Sequence, residues 1–212
     1  MGLREWKKAQ TRERIADVAA GLFAARGYDE VSVVEVARAA EVSDQTIYNY
    51  FPAKQDLVLD RAEEFRERYG RVVRERAPGT SPADALRPLV REDIDRLRHE
   101  PPELARGEFP AQCLLSPVLR RFALEERERQ VDAITTSLAV TDPAVPAIVA
   151  RAHAAALVSV IQTITDAIGA AVLAGDRSDA LLASLVHDAT GALDDLDRTF
   201  HAVTTARTGN PS

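Results

Sequence analysis

The stretch VSDQTIYNYFPAKQDL, residues 42–57, concentrates side chains that recognise other molecules without net positive charge. Gln45, Thr46, Tyr48, Asn49 and Tyr50 offer hydroxyls and amides within six positions, and Lys54 follows shortly after. Such groups reach phosphate oxygens and base edges: a Gln amide can pair with adenine on two atoms, and an Asp such as Asp44 can accept from the cytosine amine. Catalytic spacings are missing. The histidines at 99, 153, 187 and 201 form no H-E-x-x-H pair, Cys113 is the single cysteine, and neither G-x-S-x-G nor a glycine-rich phosphate loop occurs. The expectation is a protein that binds rather than catalyses, with no metal or cofactor.

Short helical elements must position these side chains. Ile47 and Phe51 stand four apart, so a helix over 44–50 turns both inward with Val42, while Tyr48, Asn49 and Tyr50 point elsewhere. Ser43 is its N-cap, and Pro52 ends it. Ahead of it, Ser32-Val33-Val34-Glu35 is a capping box that opens a helix through Ala40. A longer helix over 11–26 has Thr11 as cap, an apolar stripe of Ile15, Val18, Ala19, Leu22 and Phe23, and Gly27 as its stop. Two short helices joined by a tight turn make a helix-turn-helix. A fourth helix is expected over 54–76. Further helical runs follow at about 82–99, 103–109, 117–138, 145–174 and 179–206, broken by proline and glycine. No strand and no repeat are expected, so the fold class is all-α with about nine helices.

Charge is unevenly placed. The net charge is −6; residues 1–14 hold five basic and two acidic side chains, whereas 15–60 hold three basic and eight acidic ones. Any phosphate contact must come from a few placed groups and the basic N-terminus, not from a broad positive field. The first ten residues carry charges but no apolar run, so no secretory leader is expected. The apolar run 152–175 reads as a buried core helix rather than a membrane span, and the chain as soluble and cytoplasmic.

Residues 11–58 resemble the TetR family of bacterial transcriptional regulators. The likeness rests on Phe23-x-x-x-Gly27-Tyr28, the Ser-capped second helix, and Val42-Ser43-x-x-Thr46-Ile47-Tyr48-x-Tyr50-Phe51-x-x-Lys54-x-x-Leu57. It implies a helix-turn-helix domain at 1–53, a ligand-binding and dimerisation domain at 54–206 and a frayed tail at 207–212. By position it implies phosphate contacts from Ser32, Thr46, Tyr48, Tyr50 and Lys54. Base contacts fall to Asp44, Gln45, Thr46 and Asn49, and an arm of Arg4, Lys7 and Lys8 reaches the minor groove. Two positions depart from the family pattern. Glu41 replaces a turn glycine, costing about 1 kcal/mol if its φ is positive, and Ala53 replaces a capping residue.

The resemblance further implies a homodimer on a palindromic operator, released by a small apolar or amphipathic molecule. The candidate pocket is Phe65, Tyr69, Ile94, Phe109, Cys113, Leu114, Phe122, His153, Leu157 and Gln162, with His153 and Gln162 as its polar groups. The candidate dimer interface is Ala156, Ser159, Thr163, Ala167 and Ala170 on one helix with Leu185, Ala189 and Leu193 on the next. The acidic 15–60 segment keeps an alternative open: a helical ligand- or partner-binding protein of the same scaffold with weak DNA binding.

Overall fold

A computed structural model describes residues 2–208, and among these it contains ten α-helices, one 3-10 turn and no strand. The helices are α1 (Leu3–Arg26), α2 (Val33–Ala39), α3 (Asp44–Tyr50), α4 (Ala62–Arg74), α5 (Pro82–His99), α6 (Pro102–Gly107), α7 (Phe109–Leu115), α8 (Pro117–Thr141), α9 (Ala147–Ala174) and α10 (Asp179–Thr208). The all-α class is as expected.

Local signals act where they were read. Ser32 Oγ accepts the Glu35 N–H at 3.2 Å, and Glu35 Oε2 accepts the Ser32 N–H at 2.8 Å, closing the capping box of α2. Ser43 Oγ caps α3 by accepting the Thr46 N–H at 3.1 Å. Between them α2 ends in a Schellman turn. The Glu41 N–H donates to the Arg38 carbonyl at 3.2 Å and the Val42 N–H to the Ala37 carbonyl at 3.0 Å. This geometry needs a left-handed residue, and Glu41 has φ 53°, the only positive φ of a non-glycine among the described residues. The end of α9 makes the same pair of bonds with Gly175, φ 72°, at the equivalent position.

Four boundaries differ from expectation. α1 begins at Leu3, so Thr11 is no cap; its hydroxyl donates to the Lys7 carbonyl inside the helix at 2.9 Å. The expected fourth helix is two pieces, a 3-10 turn Lys54–Leu57 and α4. Leu57 and Val58 are buried, and Arg12 takes the Asp60 carbonyl at 2.8 Å, a group that a continuous helix would use for itself. A second short helix, α7, follows the 102–107 run, because Pro110 sits in its first turn where no N–H is missed. Finally α10 runs through Thr208; of the expected frayed tail, 209–212 lie outside the described residues.

The chain divides into two compact units, and not by a cut after residue 53. The first comprises residues 1–61, 99–123 and 168–176; the second comprises 62–98, 124–167 and 177–212. In the first unit Ile15, Ala19, Phe23, Val36, Ile47 and Phe51 form the core of the helix-turn-helix, and Cys113, Leu119 and Ala123 belong to the same cluster. Gly107 lets α6 lie against α1: a Cβ there would fall 1.7 Å from the Ala20 carbonyl oxygen. In the second unit Val73, Leu86, Ile94, Ile134, Leu138, Leu157 and Leu193 are buried. Arg66 there binds both carboxylate oxygens of the buried Glu126, at 2.9 and 3.0 Å. α9 is long and apolar enough by composition to cross a membrane, with mean hydropathy 1.7, but nearly half of that stretch is buried within the chain, as in a core helix.

Candidate nucleic-acid interface

α3 is held by its inner face. Ile47 and Phe51 are fully buried, Val42 packs beside them, and burial of side chains of this size contributes about 1.5–3 kcal/mol each. Asp44, Gln45, Tyr48 and Asn49 are exposed on the other side, with Tyr48 half open to solvent. Gln45 Nε2 donates to Asn49 Oδ1 at 3.3 Å, one helical turn on, so the two amides are already aligned with each other. Asp44 Oδ1 accepts the Gln45 N–H at 3.1 Å. Thr46 is half-buried, its hydroxyl 2.8 Å from Ser43 Oγ. Tyr50 differs from expectation: three residues after Ile47, it leans partly against the core.

The other candidate phosphate residues divide into engaged and free. Ser32 Oγ also donates to Glu35 Oε2 at 2.8 Å. The Ser32 backbone N–H, and then the Arg26 guanidinium, hold the Glu35 carboxyl down at about 2. Lys54 lies over the Tyr28 ring at 4.2 Å and donates to the Asp29 carbonyl at 3.4 Å, and burial lowers its pKa. Asp56 Oδ2 accepts the Ala53 N–H at 2.8 Å, closing from the far side the cap that Ala53 cannot supply. Arg4, Lys7 and Lys8 stand on the first turns of α1, not on an extended arm. With Glu5, Thr11 and Tyr50 they line one cleft.

Residues 15–60 match the family model described as bacterial regulatory proteins, tetR family. Over these residues the chain is similar to that family. Among curated relatives, the regulator TcmR of Streptomyces glaucescens is 30% identical over 97 residues, covering 46% of this chain and 43% of its own. The probable regulator YttP of Bacillus subtilis is 26% identical over 147 residues, 62% of this chain and 71% of its own. The chain thus spans less than half the length of the first curated relatives it matches. Its fold is shared by Bacillus subtilis FadR, solved with stearoyl-CoA, at TM-score 0.57 and 20% identity over 87% of this chain and 97% of that one. It is shared equally by Pseudomonas aeruginosa NalD, a repressor of a multidrug efflux pump, at TM-score 0.57 and 20% identity over 90% and 96%.

The ten pocket candidates do not gather in one unit. Phe109, Cys113, Leu114 and Phe122 belong to the first, where Cys113 and Phe109 pack with the helix-turn-helix core and Leu114 is exposed. Phe65, Tyr69, Ile94, His153, Leu157 and Gln162 belong to the second. There His153 is 7% exposed, its ring 4.9 Å from that of Phe200, and its buried Nε2 has no hydrogen-bond partner among the described residues. Burial, then the nearby Arg76 charge, push its pKa down to about 4 against a smaller opposing pull from Asp142. Of the interface candidates, Ala156, Ser159, Thr163, Ala167 and Ala170 are exposed or half-exposed along one side of α9. Leu185, Ala189 and Leu193 are buried in the chain itself and are corrected to core residues. Periodicity reveals an apolar stripe but not what covers it. The residue that sequence reading missed is Gln112, 1% exposed. Its Oε1 accepts the Tyr28 N–H at 2.9 Å, and its Nε2 donates to the Phe23 and Arg106 carbonyls at 3.2 and 2.6 Å, tying α7 to the end of α1. One polar residue inside the apolar run FPAQCLL was the available signal.

Proposed function

We propose that the chain is a DNA-binding transcriptional regulator: a homodimeric, cytoplasmic repressor that leaves a palindromic operator when a small apolar or amphipathic molecule binds. The observation that carries this reading is the exposed face of α3. Asp44, Gln45, Tyr48 and Asn49 project from a seven-residue helix anchored by Ile47 and Phe51, with the two amides aligned by their mutual bond. That face has the size and chemistry to enter a major groove and read adenine and cytosine edges. Dimerisation is supported by the small residues Ala156, Ser159, Thr163, Ala167 and Ala170, which let a second helix approach closely. A two-fold dimer would place its α3 helices about 34 Å apart on successive turns of the duplex.

His153 supports the effector half of the proposal. A neutral imidazole whose Nε2 has no hydrogen-bond partner among the described residues, against the Phe200 ring of its own unit, suits a mostly apolar molecule with one polar group. Release then follows if the molecule favours a dimer state whose reading helices are wrongly spaced.

The test is selection from a random duplex library with the purified chain, beside a Gln45→Ala/Asn49→Ala variant. The expected result is a palindromic sequence enriched by the native chain and lost or altered with the variant. No enrichment at low salt by either protein would sink the repressor reading and favour a ligand- or partner-binding module that uses DNA poorly. The acidic character of residues 15–60 makes that second reading specific.

A further inference from the structure

Both ends of the helix-turn-helix rest on the short loop between α1 and α2. At its entry, Gly27-Tyr28-Asp29-Glu30-Val31 delivers the chain to Ser32, the cap of α2. At its exit, Lys54 follows α3 after Phe51, Pro52 and Ala53, lies over the Tyr28 ring at 4.2 Å and donates to the Asp29 carbonyl at 3.4 Å. Tyr28 is itself buried and tilted on Phe23, with ring centroids 5.4 Å apart. The pose of α2 and α3 therefore depends on what fixes this loop.

Two side chains from far along the chain fix it. Gln112 Oε1 accepts the N–H of Tyr28, 84 residues away, while Nε2 donates both its hydrogens, to the Phe23 and Arg106 carbonyls. Ser116, buried between α7 and α8, donates its hydroxyl hydrogen to Asp29 Oδ1 at 2.8 Å, and the same oxygen accepts the Leu119 N–H at 3.2 Å. An apolar residue at position 112 would fill the run FPAQCLL equally well; a buried amide is tolerated because each of its hydrogens is taken. A fully satisfied polar network specifies one arrangement, where apolar packing alone admits several. Ile15, Val36, Ile47 and Phe51 supply the cohesion of the three helices. The Gln112 and Ser116 bonds instead fall on the loop backbone and on Asp29, where they add direction rather than apolar burial.

We infer that Gln112 and Ser116 are positioning residues for DNA reading, which set the pose of α2 and α3 through Tyr28, Asp29 and Lys54 and touch no DNA themselves. This inference rests on the DNA-binding reading. It makes the reading unit a composite of residues 1–61 with α6, α7 and the start of α8, so that DNA affinity answers to side chains well beyond α3 in sequence.

The experiment joins two measurements on the full chain, at a temperature where circular dichroism shows each variant folded. Gln112→Met keeps the volume and removes the bonds, and Ser116→Ala is the milder variant. Ile94→Val, which loses a buried methyl in the second unit, is the control for reduced stability alone. The first measurement is fluorescence anisotropy with the duplex enriched by selection, across a KCl series. Gln112→Met and Ser116→Ala are expected to bind about 2- to 30-fold more weakly, the range over which residues outside an interface modulate it. Their salt slope should stay native, because no phosphate contact is lost, and Ile94→Val should bind as the native chain does. The second is hydrogen exchange without DNA, read by mass spectrometry. Both loop variants should exchange faster across residues 27–51, while residues 147–167 keep the native rate. Native affinity in the folded Gln112→Met and Ser116→Ala variants would show a purely stabilising role and overturn the inference. So would an equal loss in Ile94→Val, or faster exchange spread evenly over both units. If Gln112→Met does not fold, Ser116→Ala carries the same comparison. A native chain that enriches no duplex fails the DNA reading instead, and exchange across residues 27–51 then decides by itself whether the two side chains hold α2 and α3.

Discussion

Glu41 occupies a position where backbone geometry and charge both oppose it. It is the left-handed residue of the Schellman turn between α2 and α3, with φ 53°. A side chain with a Cβ pays about 1–2 kcal/mol there, and glycine does not. Glycine gives back about 0.5–1 kcal/mol through the greater freedom of the unfolded chain. The net backbone gain from Glu41→Gly is thus about 0.5–1 kcal/mol. Removing a carboxylate from the C-terminal end of α2 adds some tenths of a kcal/mol through the helix dipole. Glu41→Gln removes that charge but keeps the Cβ, so the difference between the two variants isolates the backbone contribution. Urea titration followed by circular dichroism should place Glu41→Gly above Glu41→Gln by about 0.5–1 kcal/mol, or about 1–3 °C in a thermal melt. Both variants should bind duplex DNA more tightly than the native chain, and to a similar degree. Equal stability of the two variants would refute the assignment of strain to this turn. The equivalent turn at the end of α9 already has Gly175.

His153 predicts a pH dependence in the second unit. Its pKa is about 4 in the folded chain against 6.5 unfolded, so the unfolded state binds the extra proton and stability falls as pH drops from 6.5 through 4. At about 1.4 kcal/mol per pH unit the full loss is about 3 kcal/mol; His153→Gln should remove this part of the pH profile, and identical profiles would refute it. In the first unit Gly107→Ala should lower the urea midpoint, costing about 1–3 kcal/mol, because its Cβ meets the Ala20 backbone at 1.7 Å. Gly21→Ala, on α1 with open space around its Cβ, should instead stabilise by about 0.5–1 kcal/mol.

Much of the reading face was legible in the chain because its determinants are local. Ser32 with Glu35, Ser43 with Thr46, and Ile47 with Phe51 act across three or four residues, so their spacing alone sets the helices and their inner faces. The left-handed turn at Glu41 was foreseen as a condition only through the resemblance, which places a glycine at that position.

Contacts between residues distant in sequence decided the rest. The break between residues 57 and 62 depends on Arg12 reaching the Asp60 carbonyl, 48 residues away, and no local pattern announces it. The membership of α6 and α7 in the first unit depends on the close approach at Gly107 and on Gln112 bonding Phe23 and Tyr28. Lys54 was expected at a phosphate from its motif position, and only the fold places it over the Tyr28 ring. Leu185, Ala189 and Leu193 formed an apolar stripe on paper, and only packing showed the chain itself covering it. Sequence alone determined where helices start, stop and turn their apolar sides, because caps and periodicity are short-range. Tertiary structure decided which charges are used up and which remain free, because that depends on which partners the folded backbone brings within reach.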